Sequence, residues 1–298
     1  MTHITIISGF LGVGKTTFAN LLLDYYIRMG EKTAYVVNEF GQTGLDSALI
    51  GEKGFQTVDI FGGCICCTLR GKITEALREV IGEFHPTRIV FEPSGIFIFE
   101  KFLDVLEDPF LKERCKVDSV ITIVDSNHLT EAMFVPGNFF ANQVAHADTL
   151  ILSKLESYEG DVAAMAERLG GLNPRADVVA KPWSALGDED FARLYRGGSD
   201  GVDADDGKTK GHAHMDTVTF VAKALDKAGL DELSQLVKDD FFGEIYRIKG
   251  KIQYCGEPKL LQAAFGSFRL EDNPPESSNG LTFIGNHLDE VRIKAFWA

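Results

Sequence analysis

The sequence lacks any run of about 20 apolar residues, the length that a helix needs to cross a bilayer. Its first residues, MTHITIISGF, contain neither a basic segment nor a long apolar one, so we expect no secretory signal. The chain has 298 residues and a hydrophobic fraction of 45%, enough for a sizeable core. We therefore expect a globular cytoplasmic protein that does not bind membranes.

Basic residues are outnumbered by acidic ones, 30 against 44, which gives a net charge of −14. A surface of this sign repels phosphate backbones and anionic lipid headgroups. We therefore expect no nucleic-acid partner.

Cysteine is rare, with five residues in the chain, yet Cys64, Cys66 and Cys67 lie within four positions. In a reducing compartment such a cluster indicates metal or redox chemistry rather than disulfides. Thiolates are soft ligands that prefer Zn²⁺ or Cu(I) to Mg²⁺ or Ca²⁺. Structural zinc sites usually take four ligands from two separated pairs, but Cys115 and Cys255 stand alone and are assigned to packing. Three thiolates would leave one coordination position open, as a metal carrier requires.

Two other interpretations of this cluster stay open. Cys64 and Cys67 form C-x-x-C, the spacing of a redox pair, and cysteines also serve as small buried hydrophobic residues. Gly62 and Gly63 would let the backbone turn tightly enough for three thiols to converge on one ion.

Apolar segments rich in β-branched residues alternate with helical segments through residues 1–196. This alternation is typical of an α/β fold with a mostly parallel sheet covered by helices on both faces. The predicted strands lie in HITIISG, KTAYVVNEFG, TVDIFGG, TRIVFEPSG, VDSVITIVDS, ADTLILSK and ADVVAKP.

The alternation ends in a stretch rich in glycine and aspartate, and we predict a flexible linker over 197–215. Residues 216–298 predict a small α+β domain. We expect strands in TVTFVAK, EIYRIKGKIQYCG and GLTFIGNHL, and helices in LDELSQLVKDDFF and PKLLQAAFGSF.

The segment GFLGVGKT, residues 9–16, matches the phosphate-binding pattern G-x-x-x-x-G-K-[ST] between the first predicted strand and helix. In this pattern backbone N–H groups surround the phosphates, and the helix dipole favours the same anion. Lys15 would reach the outer phosphates, and the Thr16 hydroxyl would bind Mg²⁺. We therefore predict a P-loop NTPase domain at 1–196 whose nucleotide binds at Gly12, Val13, Gly14, Lys15, Thr16 and Thr17.

Acidic residues at neighbouring strand ends would complete the hydrolytic site. Glu92 ends an apolar strand and would hold Mg²⁺ with Thr16, and the Gly95 N–H would contact the γ-phosphate. Glu39 follows the second strand at the position of a switch loop, where it could contact Mg²⁺, a catalytic water or the thiolate-bound metal. Asp125 is a candidate for the Mg²⁺ water shell or for structural support. The candidate catalytic residues are Lys15, Thr16, Glu39 and Glu92.

The strand end TLILSKLES lies where guanine-binding P-loop proteins carry N-K-x-D. Here the residues are Ser153, Lys154 and Glu156: the Lys154 stem could stack on a purine, and Glu156 could accept two hydrogen bonds from guanine. Because a site that binds one base edge discriminates strongly, Ser for Asn and Glu for Asp leave ATP or relaxed specificity open beside GTP. Trp183 to Gly187 would form a second base-contacting loop.

The order of these motifs resembles that of the CobW-like GTPases, metallochaperone-type G proteins related to the nickel-insertion GTPases for hydrogenase and urease. The shared elements are GFLGVGKTT, VVNEFG, GGCICCTLRG, EPSG, a K-x-[DE] strand end, and a small domain with RIKG and FIG. The resemblance implies GTP-dependent handling of a metal, most often zinc, with delivery to a client protein. SKLE in place of N-K-x-D departs from the family pattern, as does a linker whose only histidines are His212 and His214.

We therefore expect a GTP-binding and GTP-hydrolysing metallochaperone with GTP or GDP and Mg²⁺ at the phosphate loop. Its transition metal, zinc or another, would bind at Cys64, Cys66, Cys67 and Glu39. No arginine finger is evident, so turnover should be slow unless the client protein or a second copy in a homodimer raises it. A redox-sensitive nucleotide-binding switch and an ATP-preferring P-loop NTPase are the alternatives.

Overall fold

The computed structural model describes residues 1–39, 55–61, 67–95, 98–129, 139–195, 216–222, 224–264, 267–272 and 280–297. The chain forms two compact units, one with the strands up to Val179 and one with the strands from Asp216 onward. The predicted linker at 197–215 lies outside the described residues, so the predicted domain boundaries stay predictions.

In the described part of the first unit, seven strands form one sheet in the order β3-β2-β4-β1-β5-β6-β7. Every neighbouring pair is parallel, which confirms the predicted parallel sheet. The strands are β1 Thr2–Gly9, β2 Thr33–Glu39, β3 Gln56–Phe61, β4 Arg88–Glu92, β5 Cys115–Asp125, β6 Thr149–Ser153 and β7 Asp177–Val179. Because they run the same way, the predicted site residues at their carboxyl ends share one edge of the sheet.

Helices cover both faces of this sheet. On one face, Ile73 and Phe102 pack into a core cluster with Ile4 and Ile6 of β1. Thr5 points to the opposite face, where its hydroxyl lies 2.9 Å from the Tyr26 hydroxyl of α1. The helices are α1 Lys15–Arg28, α2 Cys67–Glu79, which continues as a π-helical turn at Val80–Phe84, α3 Phe99–Leu106, α4 Pro109–Lys112, α5 Phe139–Ala145, α6 Val162–Leu172 and α7 Asp188–Tyr195.

Among its described residues, the second unit consists of a sheet and two helices. Its strands are β8 Asp216–Phe220, β9 Ala224–Leu225, β10 Glu244–Tyr254, β11 Glu257–Ala264, β12 Ser267–Glu271 and β13 Leu281–Asn286, and its helices are α8 Lys227–Lys238 and α9 Glu290–Phe296. The main path β12-β11-β10-β13-β8 is antiparallel, and β9 joins β10 in parallel. Leu233, Ile248, Phe283 and Ile293 lie in its apolar core.

The helix predicted in PKLLQAAFGSF is wrong, because the described residues of this segment belong to β11 and to the start of β12. The cause is the turn before them: Cys255 and Gly256 have φ values of 51° and 87°, as a two-residue β-hairpin of the I′ type requires. Tyr254 pairs with Glu257 across that turn, which commits the following residues to a strand.

The two isolated cysteines differ from each other. Cys115 is buried in the core cluster of the first unit, and burial raises the pKa of its thiol to about 11. Its assignment to packing is therefore confirmed. The same assignment for Cys255 is wrong, because this residue is exposed on the hairpin turn.

No helix in the described part of the chain is long and apolar enough to cross a membrane.

Candidate functional site

The phosphate loop joins the end of β1 to the start of α1. Gly9, Gly12 and Gly14 have φ values of 142°, 74° and 103°, a conformation that favours glycine, so the loop can turn its backbone inward. Gly14 precedes the first turn of α1, and no described side chain caps that turn. The N–H groups at the helix start are therefore suited to a phosphate group. Of the other predicted loop residues, Val13 is buried and Thr17 is exposed.

Lys15 is folded back over the phosphate loop rather than extended into solvent. Its side chain is buried, and its ammonium group donates a hydrogen bond to the Phe10 carbonyl at 3.0 Å. A cation held there lies among the backbone groups that would surround a phosphate. The contact agrees with the role predicted for Lys15 from the motif.

Thr16 and Glu92 are 76 positions apart in sequence and meet at the site. The Thr16 hydroxyl donates to Glu92 Oε1 at 2.9 Å, and the Tyr35 hydroxyl donates to Glu92 Oε2. Glu92 is buried while Thr16 is exposed, so the pair extends from the sheet edge toward solvent. Hydroxyl and carboxylate oxygens are hard ligands of the kind that Mg²⁺ prefers, so these residues fit that ion.

Tyr35 is a site residue that sequence reasoning missed. A buried carboxylate needs hydrogen-bond donors, and Tyr35 supplies one to Glu92 from the neighbouring strand β2. The sequence signal was a tyrosine hydroxyl between the apolar residues Ala34 and Val36 of this strand.

Gly95 lies directly against the phosphate loop. A Cβ at this position would lie 2.7 Å from the Leu11 backbone nitrogen and 2.5 Å from Leu11 Cδ2, closer than side chains approach. The Gly95 carbonyl accepts a hydrogen bond of 3.2 Å from Gln143 Nε2 of α5. Glycine is therefore required here by the close contact of two backbone segments.

The predicted base-binding residues follow β6. Lys154 has a φ of 59°, and its ammonium group donates to Asp125 Oδ2 at 2.5 Å. His128 Nδ1 lies 2.9 Å from the same oxygen, and the Asn127 N–H donates to Asp125 Oδ1 at 3.0 Å. Of the two roles predicted for Asp125, these contacts favour structural support, since its carboxylate holds the segment after β6.

Ser153 and Glu156 differ in accessibility. Ser153 is buried, and its hydroxyl donates to the Val124 carbonyl at 3.3 Å. Glu156 lies in the short 3₁₀ turn Leu155–Ser157 and is exposed. Glu156 is therefore better placed than Ser153 to contact a ligand.

Trp183 lies between the segment after β6 and the phosphate loop. Its indole N–H donates to the Leu152 carbonyl at 2.9 Å, and its ring centroid is 5.2 Å from that of Phe18 in α1. A Cβ on Gly14 would meet Trp183 Cη2 at 3.0 Å. The predicted second base-contacting loop thus begins with a residue that packs on the phosphate loop.

The thiol cluster is only partly described. Cys64 and Cys66 lie outside the described residues, as do the side chains of Cys67, the first residue of α2, and of Glu39, the last residue of β2. The backbone register pairs Glu39 with Phe61, so the cysteine motif begins three residues after the partner of Glu39. Within the part of the chain that is described, no group of three or more histidine, cysteine or acidic residues could hold a metal.

Two family models match this chain. Residues 3–180 match the model described as CobW/HypB/UreG, nucleotide-binding domain. Residues 215–298 match the one described as cobalamin synthesis protein cobW C-terminal domain.

Curated relatives match over nearly the whole chain. Zinc chaperone YjiA of Escherichia coli is 28% identical over 324 residues, which covers 99% of this chain and 97% of the relative. Zinc chaperone CobW of Pseudomonas aeruginosa is 26% identical over 340 residues, covering 97% and 89%. Among solved structures, the Zn(II)-bound YjiA GTPase from E. coli has a TM-score of 0.48 at 23% identity, covering 99% of this chain and 97% of that one.

Proposed function

This chain belongs to the CobW/HypB/UreG family of nucleotide-binding proteins, and from this premise we propose that it is a GTP-hydrolysing metallochaperone. It binds a transition metal, zinc first, at Cys64, Cys66, Cys67 and Glu39 and delivers it to a client protein. The observation that carries the proposal is the arrangement of Lys15, Thr16 and Glu92 at one end of the phosphate loop. The names of the relatives, zinc chaperones from two organisms, support the choice of metal.

The nucleotide site would use four groups of the chain. Lys15 neutralises charge on the outer phosphates, and the Gly95 N–H contacts the γ-phosphate. Thr16 and Glu92 would hold Mg²⁺, which when bound supplies charge compensation to the phosphate oxygens. Tyr35 holds the Glu92 carboxylate in place through its hydrogen bond.

The metal is the cargo of the protein. Its proposed cysteine ligands lie, in sequence, between Glu39 and Gly95, whose segments are proposed to respond to the nucleotide. The cysteine motif follows β3 directly, and the end of β3 pairs with Glu39 at the end of β2. A γ-phosphate that holds the segments near Glu39 and Gly95 would therefore also act on the thiol loop. By linkage, nucleotide binding and metal binding must then change each other by the same factor.

Zinc binding tests the thiol site and its coupling to nucleotide. Under reducing conditions the purified chain should hold one zinc per chain, and the C64S/C66S/C67S variant should hold none. Zinc affinity should differ about 5- to 150-fold between the nucleotide-free chain and the chain with a non-hydrolysable GTP analogue. The measurement is metal content by mass spectrometry together with competition against a zinc chelator.

The matched control is Cys255→Ser, the same substitution at an exposed cysteine, which should leave zinc content unchanged. Zinc retained by the triple variant would refute the thiol site. Equal affinity with and without the analogue would refute the coupling. A chain without zinc whose Cys64 and Cys67 form a disulfide would support the redox switch instead.

The nucleotide preference has a test of its own, because SKLE departs from N-K-x-D. We expect Glu156→Gln to weaken GTP binding about 10-fold, since a charge-assisted pair of hydrogen bonds to guanine is lost, and to leave ATP binding unchanged. Glu159→Gln, at a neighbouring exposed glutamate, is the control and should change neither affinity. If ATP competes as well as GTP against the wild type, the base specificity is relaxed, and if ATP competes better, the ATP-preferring alternative is correct.

A further inference from the structure

Three polar side chains on and next to α5 contact the residues that follow β4. Gln143 Nε2 donates to the Gly95 carbonyl at 3.2 Å. Asn142 Nδ2 lies 3.0 Å from both carboxylate oxygens of Glu100, in the first turn of α3. His146 Nε2 lies 3.0 Å from Glu100 Oε1. One helical element therefore binds the Gly95 turn and the start of α3 together.

The contacts at the start of α3 are specific rather than incidental. The Phe99 N–H donates to Asn142 Oδ1 at 3.3 Å, and the His146 ring stacks on the Phe99 ring with centroids 5.0 Å apart. Burial alone would raise the pKa of Glu100, but the hydrogen bonds from His146 and Asn142 outweigh it and lower the pKa to about 2. Glu100 is therefore ionised at neutral pH and accepts hydrogen bonds from α5.

Neighbouring elements hold the backbone around Gln143, at the C-terminal end of α5. The Thr122 hydroxyl of β5 donates to the Gln143 carbonyl at 2.9 Å. Asn173 Nδ2 donates to the carbonyls of Val144 and Ala147, at 2.8 and 2.9 Å. Because Thr122 ties the Gln143 backbone to the sheet, the Gln143 side chain starts from a rigid base.

We propose that Gln143 is a positioning residue for GTP hydrolysis. Its amide fixes the Gly95 carbonyl and thereby orients Gly95, whose N–H is the predicted γ-phosphate donor, against the phosphate loop at Leu11. Gln143 is 2% exposed, so water does not compete for this hydrogen bond. Asn142 and His146 hold the start of α3 through their contacts with Glu100. The inference rests on the proposed nucleotide site and adds a residue that contacts no nucleotide.

The first test is Gln143→Met, which keeps the length of the side chain and removes the donor. We expect kcat for GTP hydrolysis to fall about 10-fold. Without the donor the position of Gly95 is less well fixed, and stabilisation of the transition state depends on that position. The KM for GTP and the affinity for GDP should change less than about 2-fold. An unchanged kcat would overturn the proposal.

The control is Asn173→Ala, which removes the hydrogen bonds to the carbonyls of Val144 and Ala147 and keeps the donor to Gly95. Both variants should lower the melting temperature, and Asn173→Ala should keep kcat within about 2-fold of the wild type. An equal loss of kcat in both variants would mean that general loosening of α5 is responsible, and it would overturn the role of Gln143.

A second measurement separates this inference from the proposed function. Without nucleotide, hydrogen exchange over residues 98–106, which include all of α3, should be about 5-fold faster in Gln143→Met, with no change in α7. If the wild-type chain hydrolyses no GTP and exchange is still faster in the variant, the proposed function is refuted, while the role of Gln143 in holding these segments together is supported. Exchange that is the same in both chains would refute the positioning role even if GTP is hydrolysed.

Discussion

Replacing Lys15 with methionine will lower the rate of GTP hydrolysis about 100- to 1,000-fold, the range found when one preorganised group that stabilises transition-state charge is removed. The ammonium group of Lys15 is buried at the loop and donates to the Phe10 carbonyl, so it stands where the outer phosphates would bind. Methionine keeps most of the apolar stem and removes the charge. Steady-state release of phosphate from GTP is the measurement.

Nucleotide binding by the same variant can be followed through Trp183, which packs on Gly14 and Phe18. The chain has two tryptophans, so Trp297→Phe leaves Trp183 as the single reporter. The control is Lys112→Met, which removes an exposed ion pair with Glu107 and should leave hydrolysis unchanged. Hydrolysis within about 3-fold of wild type in Lys15→Met would contradict the assignment of the phosphate site.

Replacing Gly95 with alanine will separate the turn after β4 from the phosphate loop. The new Cβ would lie 2.7 Å from the Leu11 backbone nitrogen, and the Leu11 side chain is buried, so the backbone itself must shift. We expect a loss of about 1–3 kcal/mol in the free energy of unfolding, as for other overpacked sites. We also expect at least about a 100-fold loss of hydrolysis, because the γ-phosphate contact proposed for Gly95 would be displaced.

The control for this substitution is Gly171→Ala, in α6, where an added Cβ meets no atom within 4 Å. It should stabilise the protein by about 0.4–1 kcal/mol, because alanine restricts the unfolded chain more than glycine does. Chemical denaturation and phosphate release measure the two effects for both variants. Gly95→Ala with wild-type stability and hydrolysis would show that the close contact with Leu11 is not required.

Much of the nucleotide site could be predicted because its signals are local. The phosphate loop, the start of α1 and the end of β6 each occupy a few consecutive residues of characteristic type and spacing. The pairing of Thr16 with Glu92 spans 76 positions, and it was still predictable because parallel strands end at a common edge. The alternation of strands and helices along the chain likewise predicted the parallel sheet, because it can be read from consecutive residues.

Other contacts had no local signal. Tyr35 and Gln143 are ordinary residues on a strand and a helix, and nothing in their neighbours shows that one binds Glu92 and the other Gly95. Asp125 had two candidate roles until its contacts with Lys154 and His128 favoured one. The segment PKLLQAAF has enough leucine and alanine for a helix, and only the hairpin turn at Cys255 decided for a strand.

The sequence by itself determined the class of fold, the phosphate loop and the clustering of three cysteines, because each depends on residue type and spacing within a short stretch. Only the tertiary structure decided which groups support the nucleotide site, namely Tyr35 for Glu92, Gln143 for Gly95 and Trp183 for Gly14. The physical reason is that a buried polar atom takes its partner from whichever element packs beside it. Strand order and helix packing, rather than sequence distance, choose that element.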